Sequence, residues 1–164
     1  MLRVVAVLAL VAVSGATLGP PAVAQKLSTP AQTGARFNAC TILPREEVKK
    51  IFPWSVQADL DTDTGMPLGT GSACVYPSVQ IYVDQYSAAK RHIEAARKNG
   101  PLTPVAGIGD EAFVQQKGKF WVVLYVKVGD RLLLIEKDIV NGGTLESVKP
   151  SMIALAQALI AKLR

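Results

Sequence analysis

Soft and imidazole ligands are scarce in this chain, which has two cysteines and one histidine in 164 residues. Structural zinc, haem and iron–sulfur centres each need more Cys or His donors than that, so no cofactor is expected. There is no Cys-Xaa-Xaa-Cys pair. His92 stands alone beside Arg91 with no nucleophile-elbow pattern near it, and it reads as a packing or surface histidine, not a catalytic base. Aromatic residues make up only 6% of the chain. None joins the basic cluster Lys90, Arg91, Arg97 and Lys98, so that cluster reads as a solvated helix face and no nucleic-acid partner is expected. Adjacent acids do not make a dyad either. Glu46 and Glu47 stand about 100° apart on a helix, and Asp110 and Glu111 point to opposite faces of an extended chain.

Long apolar runs are also missing after the start of the chain. Met1-Leu2-Arg3, the apolar run Val4 to Val13 and the small-Xaa-small triplet Ala22-Val23-Ala24 are the three parts of a removable export signal, cleaved before Gln25. Ten apolar residues are too few for a permanent span, and no later stretch approaches the roughly 20 needed. The expectation is therefore an exported protein, periplasmic or secreted, with no transmembrane anchor. Residues 1–24 are the signal, 25–38 a flexible leader rich in Ser, Thr, Pro and Gln, and 39–164 a single domain. The formal net charge of +5 falls to +4 when Arg3 leaves, which is ordinary for a soluble chain. In an oxidising compartment two cysteines are most simply a disulfide. A Cys40–Cys74 bond closes a loop of about 35 residues and contributes roughly 3–4 kcal/mol on the chain-entropy account.

The folded part reads as alternating helices and strands. Thr41 to Phe52 has its apolar residues and charges arranged as one short helix, with Pro44 in its first turn. Gln57 to Ala73 holds three aspartates and three glycines with Pro67 and shows no periodicity, so it is the longest expected loop. Cys74 to Tyr76 and Val79 to Tyr86 read as strands around a Pro77-Ser78 turn. Ser87 to Asn99 reads as a helix capped by Ser87, with Glu94 able to pair with Lys90 or Lys98. Ala112 to Gln116, Phe120 to Val128 and Leu132 to Ile139 read as a three-strand meander with turns at Lys117-Gly118 and Gly129-Asp130. The middle strand is apolar on both faces and belongs inside the sheet. After Asn141-Gly142-Gly143, Thr144 caps a helix with an apolar stripe from Val148 to Leu163, and Pro150 marks a kink or the helix start. The fold class expected is α+β, one antiparallel sheet of about five strands packed on one side by two to three helices.

Two loops carry weak motifs. Asp59, Asp61 and Asp63 are spaced as the first three ligands of a calcium loop, but Thr64 and Thr70 stand where Gly and Glu are required. Gly69-Thr70-Gly71-Ser72 resembles the start of a phosphate loop, yet it lacks the Lys-Ser/Thr pair and leads into a strand. Gly107 and Gly109 permit a tight turn, and Asp110 is placed to accept a hydrogen bond from its own backbone.

Cys40-Thr-Ile-Leu-Pro-Arg-Glu-Glu-Val, Cys74-Val-Tyr and Gly107-Ile-Gly-Asp-Glu-Ala-Phe together resemble a broad group of small exported bacterial two-cysteine proteins. Many of these are actinobacterial lipoproteins, and most have no assigned activity. The likeness runs over nearly all of Cys40 to Leu163. It implies the same disulfide and an antiparallel sheet with flanking helices, similar to the Mog1/PsbP-like sandwich, and it carries over no catalytic residue. The chain departs from the group in having no lipobox cysteine. The functional expectation is a non-enzymatic binding module of the envelope or medium. It would contact a protein, an envelope polymer or a small ligand through a sheet face or the Gln57–Ala73 loop. The alternatives are a small acid/base hydrolase with carboxylates assembled across the fold, and a calcium-steadied structural protein.

Overall fold

The chain extends where β-branched and aromatic side chains crowd it. The computed structural model describes residues 38–53, 66–68, 70–140 and 143–164, all within one unit, residues 34–164. Its strands are β1 (Met66–Leu68), β2 (Gly71–Val75), β3 (Val79–Gln85), β4 (Thr103–Pro104), β5 (Glu111–Lys117), β6 (Trp121–Val128) and β7 (Arg131–Asp138). They form one antiparallel sheet of seven strands in the order β1-β2-β3-β7-β6-β5-β4. The five strands expected from the sequence are β2, β3, β5, β6 and β7. The two additions are short edge strands, and each contains a proline, Pro67 in β1 and Pro104 in β4. Proline cannot donate to a further ladder, so these edges are blunted against added strands. The β1–β2 hairpin also occupies the end of what the sequence presents as a loop from Gln57 to Ala73. Gly71 is needed there, because a Cβ would collide with the Val83 carbonyl and the Asp84 side chain.

The helices are α1 (Ala39–Ile42), α2 (Arg45–Ile51), α3 (Tyr86–Asn99) and α4 (Leu145–Leu163). The single helix expected over Thr41–Phe52 is thus split in two. Leu43 is extended, with φ −127° and ψ 122°, because a residue preceding proline is pushed out of the helical region. In α3 the helix begins one residue before Ser87 and has no side-chain cap. The Tyr86 N–H donates to the Asp130 carbonyl at 2.6 Å, so a tertiary partner meets one of the helix's free N-terminal donors. Thr144 does cap α4, reciprocally with Ser147. Pro150 lies inside the helix and not at its start. Proline has no N–H to give the carbonyl four residues back, that of Glu146, and Glu146 is exposed.

Helices cover both faces of the sheet, not one. On the first face α1, α2 and α4 enclose Ile81, Val122, Leu124, Val126, Leu133 and Ile135. On the second, Ala89, Ile93 and Ala96 of α3 sit against Val123, Tyr125, Leu132 and Leu134. Strand alternation explains the correction: β6 and β7 are apolar in both directions, and leaving either side to water would expose a row of Val, Leu and Tyr.

Candidate binding face

Seen from the α3 side, the strands offer two kinds of surface. The 14 residues of α3 span about 21 Å at the helical rise and lie over one part of the face. Its C-terminus is fastened by the buried Gln115, whose Nε2 donates to the Ala96 carbonyl at 2.9 Å and the Gly100 carbonyl at 3.1 Å. Arg97 stacks over the Phe113 ring and Lys127 over Tyr86.

The rest of this face is partly open and differs in composition. Register places Lys117, Trp121 and Asp138 side by side across β5, β6 and β7, and Gln80 beside Glu136 across β3 and β7. Period-two alternation from the buried Val123, Tyr125 and Leu134 brings all five to the α3 side, together with Tyr82. Trp121, Tyr82, Gln80, Glu136 and Asp138 are half-buried and Lys117 is exposed. The Tyr82 hydroxyl donates to Gln80 Oε1 at 2.6 Å. Lys117 Nζ stands 3.9 Å from Glu136 Oε1, and Lys137 Nζ stands 2.6 Å from Asp138 Oδ1. Burial, and secondarily the Glu136 carboxylate, push the Tyr125 hydroxyl up to about 12 and raise that of Tyr82.

Glu136 and Asp138 are two residues apart on one strand, so their backbones lie about 7 Å apart on the same face. They share a face through their spacing on one strand, and are not carboxylates brought together from distant segments. The i, i+2 spacing within the apolar run of β7 was the signal available for them. Gln115 left no comparable signal, because only the return of α3 over β5 buries it.

The other sequence candidates lie elsewhere. Cys40 and Cys74 are joined, with Cα atoms 4.9 Å apart, and the bond ties α1 to β2 beside a hydrogen bond from the Ala39 N–H to Ser72 Oγ at 3.0 Å. Gly107 and Gly109 have φ of +80° and +60°. At Gly109 a Cβ would also run into the Lys127 carbonyl, so that position admits no side chain. The Asp110 carboxylate does not serve its own turn. It accepts the Gly129 N–H at 2.7 Å, bracing the β6–β7 turn. Gly107 and Gly109 border an open cleft of about 240 Å³ closed on its other side by Gln157 and Arg164 of the α4 end. His92 is exposed and Lys90 pairs with Glu94 at 3.9 Å. Asp59, Asp61 and Asp63, like residues 1–37, lie outside the described residues. Among the described residues no group of three or more His, Cys, Asp or Glu is placed to hold a metal ion. Among them, too, no helix is long and apolar enough to cross a membrane. No family model, curated protein or solved structure matches the chain.

Proposed function

We propose that this chain is an exported, non-enzymatic binding module of the bacterial envelope or its surroundings, and that it takes its ligand on the open part of the α3 face. The observation that carries the reading is the Trp121 platform. The register sets the Trp121 indole beside Lys117 and Asp138, and further along the same face the Tyr82 phenol two residues from Gln80, which stands across from Glu136, on a rigid sheet. Trp and Tyr offer large contact areas at low entropic cost and keep a polar edge, and strands hold such groups more firmly than loops do. The ligand is a protein, an envelope polymer or a small molecule with both apolar and hydrogen-bonding surface. Export is supported by the N-terminal pattern and by the Cys40–Cys74 bond, a kind of bond that persists in oxidising compartments.

A hydrolytic reading has one observation in its favour, two acids, Glu136 and Asp138, on one face of one strand, since glycoside cleavage uses a pair of carboxylates. Against it, both acids are within ion-pair distance of lysines and lie on an open surface.

Titrating the ¹⁵N-labelled protein with soluble cell-wall glycan and peptide fragments separates these readings. Binding predicts shifts at Gln80, Tyr82, Trp121 and Glu136 that vanish in Trp121→Ala. Fragments cleaved by the wild type but not by Glu136→Gln would make it an enzyme. Shifts confined to the other face would remove the platform as the site.

A further inference from the structure

At the end of the sheet where β5 turns into β6 and β7 runs out, two large apolar side chains face solvent. Phe120 is 54% exposed and Val140 60%, the only large hydrophobic residues among the described residues in that state. They belong to one rim: the Ile139 N–H donates to the Phe120 carbonyl at 2.8 Å, so Val140 follows directly on Phe120's cross-strand partner. Scattered exposed apolar residues need no explanation, but a pair at one tip does.

Lysines outnumber acids around the tip. Lys117, Lys119 and Lys137 stand there with Glu136 and Asp138, and Asp138 lies directly across from Trp121. The nearest carboxylates, Glu136 and Asp138, are already within ion-pair distance of Lys117 and Lys137. Lys119 is exposed and has no acidic partner among the described residues. Next to Phe120 stands the half-buried Trp121, a side chain suited to the boundary between headgroups and acyl chains. A second copy docking by two-fold symmetry would bring the lysines of one tip towards those of the other, a like-charge arrangement that opposes pairing.

We infer that this tip is a docking surface for an anionic lipid bilayer, with Phe120 and Val140 entering the headgroup–acyl boundary and Lys117 and Lys119 meeting lipid phosphates. It adjoins the Trp121 platform and shares Lys117 with it. With only two apolar residues engaged, the association is weak and reversible, and it depends on anionic lipid.

The test is co-sedimentation of the processed chain, beginning at Gln25 and purified in oxidised form, with vesicles of phosphatidylglycerol and phosphatidylcholine and with vesicles of phosphatidylcholine alone. The expected result is partition onto the anionic vesicles, decreasing with salt. Phe120→Ser/Val140→Ser should lower the partition coefficient at least about tenfold, and Lys119→Gln about fivefold. Both positions are exposed, so the double variant should keep its Tm within about 3 °C of the parent. An independent check is Phe120→Trp, which should retain partition and give a blue-shifted emission change on vesicle addition that Trp121→Ala does not abolish. Three outcomes would overturn the inference. They are no partition at low salt, partition undiminished in the double variant, and a dimer by light scattering that the double variant dissolves.

Discussion

Towards α1, α2 and α4 the sheet presents Val, Leu, Ile and Ala almost without interruption, whereas towards α3 the same strands present Tyr82, Gln80, Trp121 and Glu136 beside a smaller apolar patch. The first face is enclosed by three helices and bonded to α1 by the disulfide. The second is covered in part by one amphipathic helix held at its end by Gln115. The difference separates two tasks. Stability is concentrated where burial is complete, which leaves the strands of the other face free to carry groups that contribute little to folding and suit contact with a ligand.

The largest expected effect tests the enclosed face. Replacing both cysteines, Cys40→Ala/Cys74→Ala, should lower the unfolding free energy by roughly 3–4 kcal/mol in a urea titration of the oxidised parent against the variant. A loss below about 1 kcal/mol would mean that the Ala39–Ser72 hydrogen bond and local packing hold α1 unaided.

Next come paired core truncations. Leu155→Ala on α4, fully buried, should cost about 3–4 kcal/mol, and Ile93→Ala on α3 about 2 kcal/mol. Equal losses would erase the distinction between the faces. A smaller effect is expected of Gln115→Leu, which removes the donor to the Ala96 and Gly100 carbonyls and should cost about 1–2 kcal/mol. Hydrogen exchange in that variant should rise along the last turn of α3 and stay unchanged in α4.

The smallest effect is confined to alkaline solution. The Tyr125 hydroxyl, raised to about 12 by burial first and by Glu136 second, keeps its proton more tightly when folded than when unfolded, where it titrates near 10. That contribution is complete below about pH 10 and is lost as the pH rises from 10 towards 12. Thermal melts across that window should flatten in Tyr125→Phe, with a residual slope from Tyr82, whose hydroxyl is raised in the same direction.

Much of this architecture was legible in the chain because it rests on local chemistry. Period-two alternation marked the strand at Val79–Val83, and the Gly-containing turns at 118 and 129 marked the meander. The Thr144 cap and the apolar stripe behind it marked α4. Two cysteines with no other partner marked the bridge. The residues of the candidate face were mostly read only as strand positions, since neither Gln80, Trp121 nor Glu136 is unusual where it stands in the chain.

The sequence by itself therefore determined the five long strands, the two long helices and which two cysteines join, because propensity, capping and cysteine pairing act over a few residues or admit one solution; the short edge strands β1 and β4 were not among them. It also contained the Leu43-Pro44 break in the first helix, since the residue before proline is excluded from the helical region wherever it occurs. Only the tertiary structure decided that helices lie on both sides of the sheet, that Asp110 braces a turn 19 residues away, and that Gln115 closes the end of α3. It alone brought Lys117, Trp121, Glu136 and Gln80 from four strands onto one face. These outcomes depend on strand order and on where α3 ends, quantities set by the packing of distant segments and carried by no local pattern.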